Sequence, residues 1–445
     1  GFVISALGGS CVQIAGPTAA FATIVAGIVA RDGLEGLMTA TILAGVFLII
    51  MGFCHFGSLI KFIPYTITTG FTSGIAVTIV IGQLKDFCGV TYPDGVKPIE
   101  TMEKLKAFAE NFSTISPDAL IVGGVSLAIL IVSPLIFKKI PGSLIAVIAG
   151  ILMVQFLPLH VSTIGNLYTI SNALPTLHLP VFDMKLIQSA IPNAFTIAVL
   201  AAIESLLSCV VADGMINSKH RSDTELIAQG AGNIASALFG GIPATGAIAR
   251  TAANIKNGGR TPVAGIVHSI TLVIVLVVLM PFAGMIPMPT IAAILFLVAY
   301  NMCQWRTFVH LVRTAPKSDI IVLFTTFVLT VVFDLVVAIE IGMVLACLLF
   351  IKRMSEETHA DSWVYVDDDS PAVDEHLQKL PLEIRVYEIT GPLFFGAADA
   401  IEHIVVKDFT KCLVLRMRSV PAIDSTAMNA LQNLTKLCES KGITL

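Results

Sequence analysis

The chain has 445 residues, of which 55% are hydrophobic and 13% charged, with a mean hydropathy of +0.87 and a net charge of −4. Soluble domains carry about 25% charged residues, so this composition excludes a single soluble enzyme, a disordered chain and a fibrous repeat. The sequence has no basic run or patch, which gives no support for a nucleic-acid partner.

The charged residues are distributed unevenly along the chain. The first 350 residues contain 33 of them and the last 95 contain 25. We therefore expect a transmembrane domain over residues 1–353, an acidic linker over 354–381 and a small soluble domain over 382–445. The eight cysteines are far apart and form no C-x-x-C pair, so neither a metal site nor a disulfide framework is predicted. No cofactor is expected.

Apolar stretches of about 20 residues cross the hydrocarbon core of a bilayer. The sequence predicts spans near residues 15–30, 38–60, 64–84, 119–137, 142–158, 187–212, 225–240, 245–255, 261–284, 290–305, 319–334 and 336–351. The loops place twelve Lys and Arg on the side of the charged tail and six on the other. Because basic residues concentrate in cytoplasmic loops, the tail is predicted to be cytoplasmic.

Apolar spans also occur in respiratory subunits, receptors and intramembrane enzymes. A haem protein needs His pairs in facing spans, and an intramembrane protease needs a Ser/His, His-Glu or paired-Asp signature. The sequence shows no such pairing, so an enzyme is not predicted.

Two of the predicted spans are interrupted at their start. Residues 12–21 suggest an extended approach and then a helix beginning at Pro17, and Pro is favoured in a first helical turn. Residues 243–251 likewise suggest extended residues followed by a helix start, with Thr245 as a candidate cap. Irregular backbone at membrane depth lines a cavity or is buried in protein, and helix N-termini attract anions. Two such segments indicate a midplane substrate site; the alternative is a pair of ordinary kinked helices.

Two charged residues in the apolar spans are candidates for function. Arg250 lies about one turn into the second short helix and either lends positive charge to an anion or reaches the cytoplasmic interface in a structural role. Glu204 is expected to be the only acidic residue deep in a span, and burial disfavours its charged form, which suits a proton carrier. Ser208 lies on the same helical face and is expected to hydrogen-bond the substrate or Glu204. The alternative for Glu204 is an ion pair with Arg250 that only fixes packing.

The tail alternates predicted strands and helices, which indicates a small α/β domain. Strands are predicted over 382–389 and 411–417, and a helix follows Ile423 with Asp424 or Ser425 as its cap. The tail has no phosphate-binding glycine loop and no catalytic constellation. A regulatory or adaptor role is therefore predicted.

Several motifs resemble a known family. G-P-T-A-A-F at 16–21, A-I-E-S-L-L-S around Glu204, and P-A-T-G-A-I-A-R-T followed by G-G-R-T-P-V-A-G resemble the sulfate permease (SulP) anion transporters. G-P-L-F-F-G at 391–396 and V-P-A-I-D-S-T at 420–426 resemble the STAS domain that ends most of these proteins. The resemblance covers nearly the whole chain.

The resemblance implies an α-helical polytopic membrane protein with an inverted seven-plus-seven repeat, followed by a small α/β STAS domain. The chain then starts at the end of the second segment, so the first segments are expected to be absent here and the STAS domain incomplete. A homodimer is also implied. The implied anion-binding residues lie in the two interrupted segments: Gln13, Ala15, Gly16, Pro17, Thr18, Ala19, Thr245, Gly246, Ala247, Ile248 and Arg250.

The resemblance also bears on coupling and regulation. Sodium-coupled bicarbonate carriers tend to have Asp and Thr where this chain has Glu204 and Ser208, so these two residues are assigned to proton coupling. Ser425 matches a Ser that is phosphorylated in related STAS domains; the alternative is an ordinary helix cap.

The predicted function is proton-coupled symport of sulfate or a small (di)carboxylate across a bacterial inner membrane by alternating access. Sodium-dependent bicarbonate symport and anion exchange are the alternatives on the same scaffold. A third alternative is a membrane sensor or docking protein whose STAS domain recruits a cytosolic partner. An uncoupled channel is disfavoured because the sequence shows no continuous polar path.

Overall fold

The computed structural model describes all residues except 19, 59–62, 94, 96–97, 137–139, 171, 180–183, 334, 363–380, 382, 403 and 405–408. The described residues form two compact units, Gly1–Met343 and Val344–Leu445. Most of the predicted acidic linker, and the candidate anion-binding residue Ala19, lie outside the described residues.

Helices dominate the chain up to residue 356. They are α1 (Phe2–Leu7), α2 (Phe21–Phe53), α3 (Tyr65–Cys88), α4 (Thr101–Glu110), α5 (Pro117–Ile136), α6 (Gly142–Phe156), α7 (Ile164–Leu167), α8 (Met184–Ile216), α9 (Ser222–Leu238), α10 (Ile248–Lys256), α11 (Val263–Ile274), α12 (Met280–Ala283), α13 (Met288–Cys303), α14 (Trp305–Thr314), α15 (Lys317–Val332) and α16 (Leu335–Glu356). Two short strands, β1 (Ala15–Gly16) and β2 (Thr245–Gly246), interrupt them. Within the described residues, six helical segments are long and apolar enough to cross a membrane.

The first two predicted spans form one long element, α2, with a break inside it. Gly33 has φ 71° and ψ −171° there, a conformation that glycine adopts without the steric cost of a Cβ. The predicted helix start at Pro17 is wrong, because α2 begins at Phe21. Pro17 lies instead in the extended approach, where its carbonyl accepts a side-chain hydrogen bond.

One group of helices is built around α2, which packs against α8 and α9. Their apolar side chains, among them Phe21, Leu48 and Ile197, form the main hydrophobic core. At the crossing of α2 and α9, a Cβ on Gly45 would lie 2.7 Å from the carbonyl oxygen of Gly230, and one on Gly230 would lie 2.5 Å from that of Gly45. The two backbones therefore touch, as is typical of small residues at membrane helix crossings.

A second group contains α3, α5, α6, α13 and α15. Gly70 of α3 packs against the carbonyl oxygen of Leu323, which would lie 2.6 Å from an added Cβ. Phe71 and Ile75 of α3 belong to the core cluster of α2 and α8. The two groups thus meet through apolar side chains.

The segment that contains α11, a π-helical turn (Val275–Leu279) and α12 carries most of its apolar side chains on the surface. Val267, Val273 and Val278 are among the exposed residues. A helix with apolar residues all round is typical of a membrane span.

The second unit contains a small sheet and helices. β3 (His359–Ser362) pairs antiparallel with β4 (Ile384–Thr390), which pairs parallel with β5 (Cys412–Ser419); α17 (Asp399–Glu402) and α18 (Ser425–Ser440) complete it. Side chains of β4, β5 and α18 share one hydrophobic core. This is the predicted α/β arrangement, although β3 lies within residues predicted as linker.

The helix α18 begins with a side-chain cap. Asp424 Oδ1 accepts a hydrogen bond from the Ala427 N–H at 2.8 Å, and its Oδ2 accepts one from the Phe395 N–H at 2.8 Å. Of the two predicted caps, Asp424 is therefore the one used. Ser425 is the first residue of α18 and is exposed.

The crossing of α2 and α9 predicts different effects for two glycine substitutions in one helix. Gly45→Ala forces a Cβ against the Gly230 carbonyl, and we expect a loss of about 1–3 kcal/mol in stability, measured as a lower midpoint of thermal unfolding in detergent. Gly27→Ala is the control, because a Cβ on Gly27 meets nothing within 4 Å. Equal midpoints for the two variants would contradict the close crossing.

Candidate functional site

The structure brings the two interrupted segments together. Ala15 pairs with Gly246 and Gly16 pairs with Thr245 in an antiparallel arrangement. Because β1 leads towards α2 and β2 leads into α10, the two helices leave the strand pair in opposite directions. This antiparallel start is what an inverted repeat requires.

Arg250, on α10, reaches the first segment. The region bounded by Pro17, Thr18, Arg250 and the start of α10 is here called the gap. Its Nη2 donates a hydrogen bond to the Pro17 carbonyl oxygen at 2.8 Å, and both residues are exposed. A Cβ on Gly16 would lie 2.6 Å from Nη1 of Arg250. Glycine at position 16 therefore leaves the space that the guanidinium occupies.

Glu204 faces the first segment from α8. Its Oε2 accepts a hydrogen bond from the Thr18 hydroxyl at 2.8 Å, and the residue is 7% exposed. The alternative ion pair between Glu204 and Arg250 is not present among the described contacts, since Arg250 donates to Pro17 instead. The carboxylate and the guanidinium thus approach the first segment separately.

The Ser208 hydroxyl forms no described hydrogen bond with Glu204, which was one of its two predicted partners. Its hydroxyl donates to Thr251 Oγ1 at 3.2 Å, and Thr251 Oγ1 also accepts from the Ile14 N–H at 3.0 Å. Ser208 is completely buried. It therefore ties α8 to α10 and to the approach to β1, because its helical position turns it towards α10.

The second segment differs from the prediction in the capping of α10. Thr245 does not cap α10, since it lies in β2 and its hydroxyl donates to the Ala201 carbonyl at 2.9 Å. Ala247 precedes the helix, and its N–H donates to the Ile14 carbonyl at 3.0 Å. Ile248 is partly buried and begins α10, whose first-turn N–H groups have no acceptor within the helix.

The structure has a second buried carboxylate near the site, which the sequence analysis did not single out. Glu225, in the first turn of α9, is completely buried. Acidic residues in a first helical turn are common and usually exposed, so the local sequence carried no signal for its burial. Glu225 accepts hydrogen bonds from the chain before β1, from α8 and from α9.

Gln13, a predicted anion-binding residue, is engaged by protein groups. Its Nε2 donates to Ser205 Oγ at 2.7 Å and to Glu225 Oε1 at 3.0 Å. Its Oε1 accepts from the Cys209 thiol. The Gln13 side chain therefore ties the first segment to α8 and α9. The groups that can still meet an anion at the gap are Pro17, Thr18, Arg250 and the start of α10.

Sequence similarity to known proteins extends over almost the whole chain. Residues 1–326 match the Sulfate permease family, and residues 378–445 match the STAS domain. YvdB, a candidate sulfate transporter of Bacillus subtilis, is 39% identical over 98% of this chain and 81% of its own length. The bicarbonate transporter BicA of Synechocystis is 31% identical over 99% of this chain and 80% of its own.

Solved structures show the same architecture. The transmembrane domain of a cyanobacterial BicA is 29% identical, with a TM-score of 0.65 over 78% of this chain and 88% of that one. SLC26A9 is 20% identical, with a TM-score of 0.84 over all of this chain and 78% of that one. The predicted helical polytopic membrane fold with a C-terminal STAS domain is thereby confirmed, and the chain belongs to the sulfate permease family.

Proposed function

We propose that this protein is a secondary active transporter that moves sulfate or a small (di)carboxylate together with a proton. The observation that carries the proposal is the gap between the two paired segments, where Arg250, Thr18 and the N-terminus of α10 converge. Relatives named as sulfate and bicarbonate transporters support an anionic substrate.

The gap presents positive charge to a substrate. α10 begins at Ile248, two residues before Arg250. The first-turn N–H groups of a helix and its dipole, equivalent to roughly half a positive charge, attract an anion. Arg250 uses one N–H on the Pro17 carbonyl, and a guanidinium has five N–H donors in all. The remaining donors suit the oxygens of a sulfate or a carboxylate. In this proposal Ala15, Gly16, Gly246, Ala247 and Ile248 shape the gap through their backbone.

Glu204 is proposed to carry the proton. Its single described partner is a hydroxyl, and Thr18 Oγ1 can donate to the carboxylate or accept from the protonated acid. The pair therefore accommodates both protonation states without a change of partner. Protonation removes one negative charge from the loaded site, and Ser208 contributes by holding α8 against α10.

The two helix groups provide a route to alternating access. The group of α2, α8, α9 and α10 carries the site, and it meets α3 through apolar side chains. Apolar contacts are non-directional, so one group can shift along the other without losing specific bonds. We further propose a homodimer in a bacterial inner membrane, with the STAS domain cytoplasmic and available to a protein partner, and Ser425 as a candidate phosphorylation site.

Sodium-coupled bicarbonate symport is the second candidate, and the similarity to BicA favours it. Carboxylate and hydroxyl oxygens such as those of Glu204 and Thr18 are also ligands for hard cations. Uptake that requires sodium and does not respond to pH would establish this candidate over proton symport.

Removing the charge-changing group at position 204 tests proton coupling. In proteoliposomes, wild-type uptake of the transported anion is expected to accelerate with an inward proton gradient. Glu204→Gln cannot exchange a proton, so its uptake should no longer respond to the gradient. Glu340→Gln, an exposed acid on α16, is the matched control and should respond as wild type. A gradient response retained by Glu204→Gln would overturn the assignment.

Neutralising Arg250 tests the anion site itself. Arg250→Gln removes a positive charge and several donors, and we expect KM for the anion to rise about tenfold or more, the size of a lost hydrogen bond to a charged group. Lys256→Gln, at the exposed C-terminal end of the same helix, should leave KM near the wild-type value. Concentration-dependent uptake measures both, and an unchanged KM for Arg250→Gln would place the anion elsewhere.

A further inference from the structure

We propose that three buried polar residues of α9 position both halves of the anion site. They are Glu225, Gln229 and Asn233, here called the α9 polar stripe. Residues four apart lie on one face of a helix, and all three are completely buried. The proposal deepens the proposed transport function and rests on it for its functional readout.

Glu225 anchors the approach to β1. Its Oε2 accepts from the N–H groups of Gly9 at 2.9 Å and Ser10 at 3.2 Å. Its Oε1 accepts from Gln13 Nε2 at 3.0 Å, Ser205 Oγ at 3.2 Å and Gln229 Nε2 at 3.0 Å. Four of these five partners are N–H groups, which can only donate. They therefore fit an ionised carboxylate and oppose a protonated one.

Glu225 is connected to Glu204 indirectly, by two routes. Through Gln13, Glu225 holds the chain that leads along β1 to Thr18, whose hydroxyl contacts Glu204. Through Ser205, it holds the residue that follows Glu204 on α8. Glu225, Gln13, Thr18, Glu204 and Ser205 therefore close a ring, and the ring sets how the Thr18 hydroxyl meets the Glu204 carboxylate.

Asn233 anchors the approach to β2 in the same way. Its Nδ2 donates to the Ala244 carbonyl at 2.8 Å, and its Oδ1 accepts from the Ala244 N–H at 2.8 Å. The side-chain amide thus pairs with both backbone groups of Ala244, as a neighbouring strand would. A second bond from Nδ2 to the Gln229 carbonyl, at 2.8 Å, ties this anchor to the rest of the stripe.

One rigid helix therefore holds the start of each half of the site. None of the three residues has a described contact with Arg250, so they act through the two segments, as positioning residues. A shift of α9 or a loss of its polar contacts changes where both segments meet. This function differs from proton carriage by Glu204 and from charge donation by Arg250.

Glu225→Gln is the first test, because the amide N–H₂ it introduces faces groups that themselves donate. The probe is whichever of sulfate, bicarbonate and fumarate gives purified wild-type protein the largest anion-dependent thermal shift. We expect Kd for that anion to rise about tenfold in Glu225→Gln, as when a hydrogen bond to a charged group is lost. In the double variant Gln13→Glu with Glu225→Gln, residue 225 donates and residue 13 accepts, so the hydrogen bond between them is kept with its direction reversed. This variant should recover part of the affinity for the anion.

Ser126→Ala is the control for the loss of a buried hydrogen bond elsewhere. It removes a completely buried hydroxyl, which bonds Thr290 Oγ1 at 2.9 Å between α5 and α13, away from the site. Ser126→Ala should lower the unfolding midpoint and leave Kd unchanged. If Glu225→Gln behaves in the same way, with a lower midpoint and a wild-type Kd, its role is only structural and the proposal is wrong.

Hydrogen exchange tests positioning without any anion. Glu225→Gln should speed backbone exchange over residues 9–16, and Asn233→Asp, which keeps the acceptor but loses both donated bonds, should speed it over 243–247. Asn233→Asp also serves if Glu225→Gln does not fold. Unchanged exchange in these segments overturns the proposal. If the wild-type protein binds and transports no anion while the two variants exchange faster as expected, the proposed transport function is wrong and the positioning role is still supported.

Discussion

The site depends on one constraint: backbone polar groups at membrane depth must find partners inside the protein. The two interrupted segments meet this constraint largely through each other, by the pairing of β1 with β2. Side chains complete it, since Thr251 accepts from the Ile14 N–H and Asn254 Nδ2 donates to the Val12 carbonyl. Because these bonds satisfy the approaches, the first-turn N–H groups of α10, which have no acceptor within the helix, are available to a ligand.

The two buried carboxylates near the site, Glu225 and Glu204, have opposite surroundings. Glu225 accepts hydrogen bonds from five donors and has a fixed environment. Glu204, on the neighbouring helix, has one described partner, the Thr18 hydroxyl, which can reverse its direction. A group that exchanges protons needs an environment that tolerates both of its states, and a group that holds structure needs one that does not. Hydrogen-bond partners therefore separate the two proposed functions better than burial does.

Local sequence patterns predicted much of this arrangement, and long-range contacts explain the rest. The apolar spans, the G-P-T and T-G-A-I-A-R segments and the α/β tail each have a local signature. The bond between Gln13 and Glu225 joins residues 212 positions apart, so no local pattern indicates it. The helix start at Phe21 rather than Pro17 also follows from distant partners, since Arg250 binds the Pro17 carbonyl and Glu204 binds Thr18. The described hydrogen bond of Ser208 goes to Thr251 of α10, 43 positions away, rather than to Glu204 on its own helix.

The short helix α10 shows why the site must be held from outside. It has nine residues, about two and a half turns, so few hydrogen bonds within the helix hold it in place. Its position is therefore set by Thr251, by β2 and by the anchor on Ala244, all of which lead back to α8 and α9. A transporter that moves this site has to move α8, α9 and α10 together, because separating them would leave buried polar groups unpaired. The apolar contact with α3 carries no such penalty, so the boundary between the two helix groups is where motion costs least.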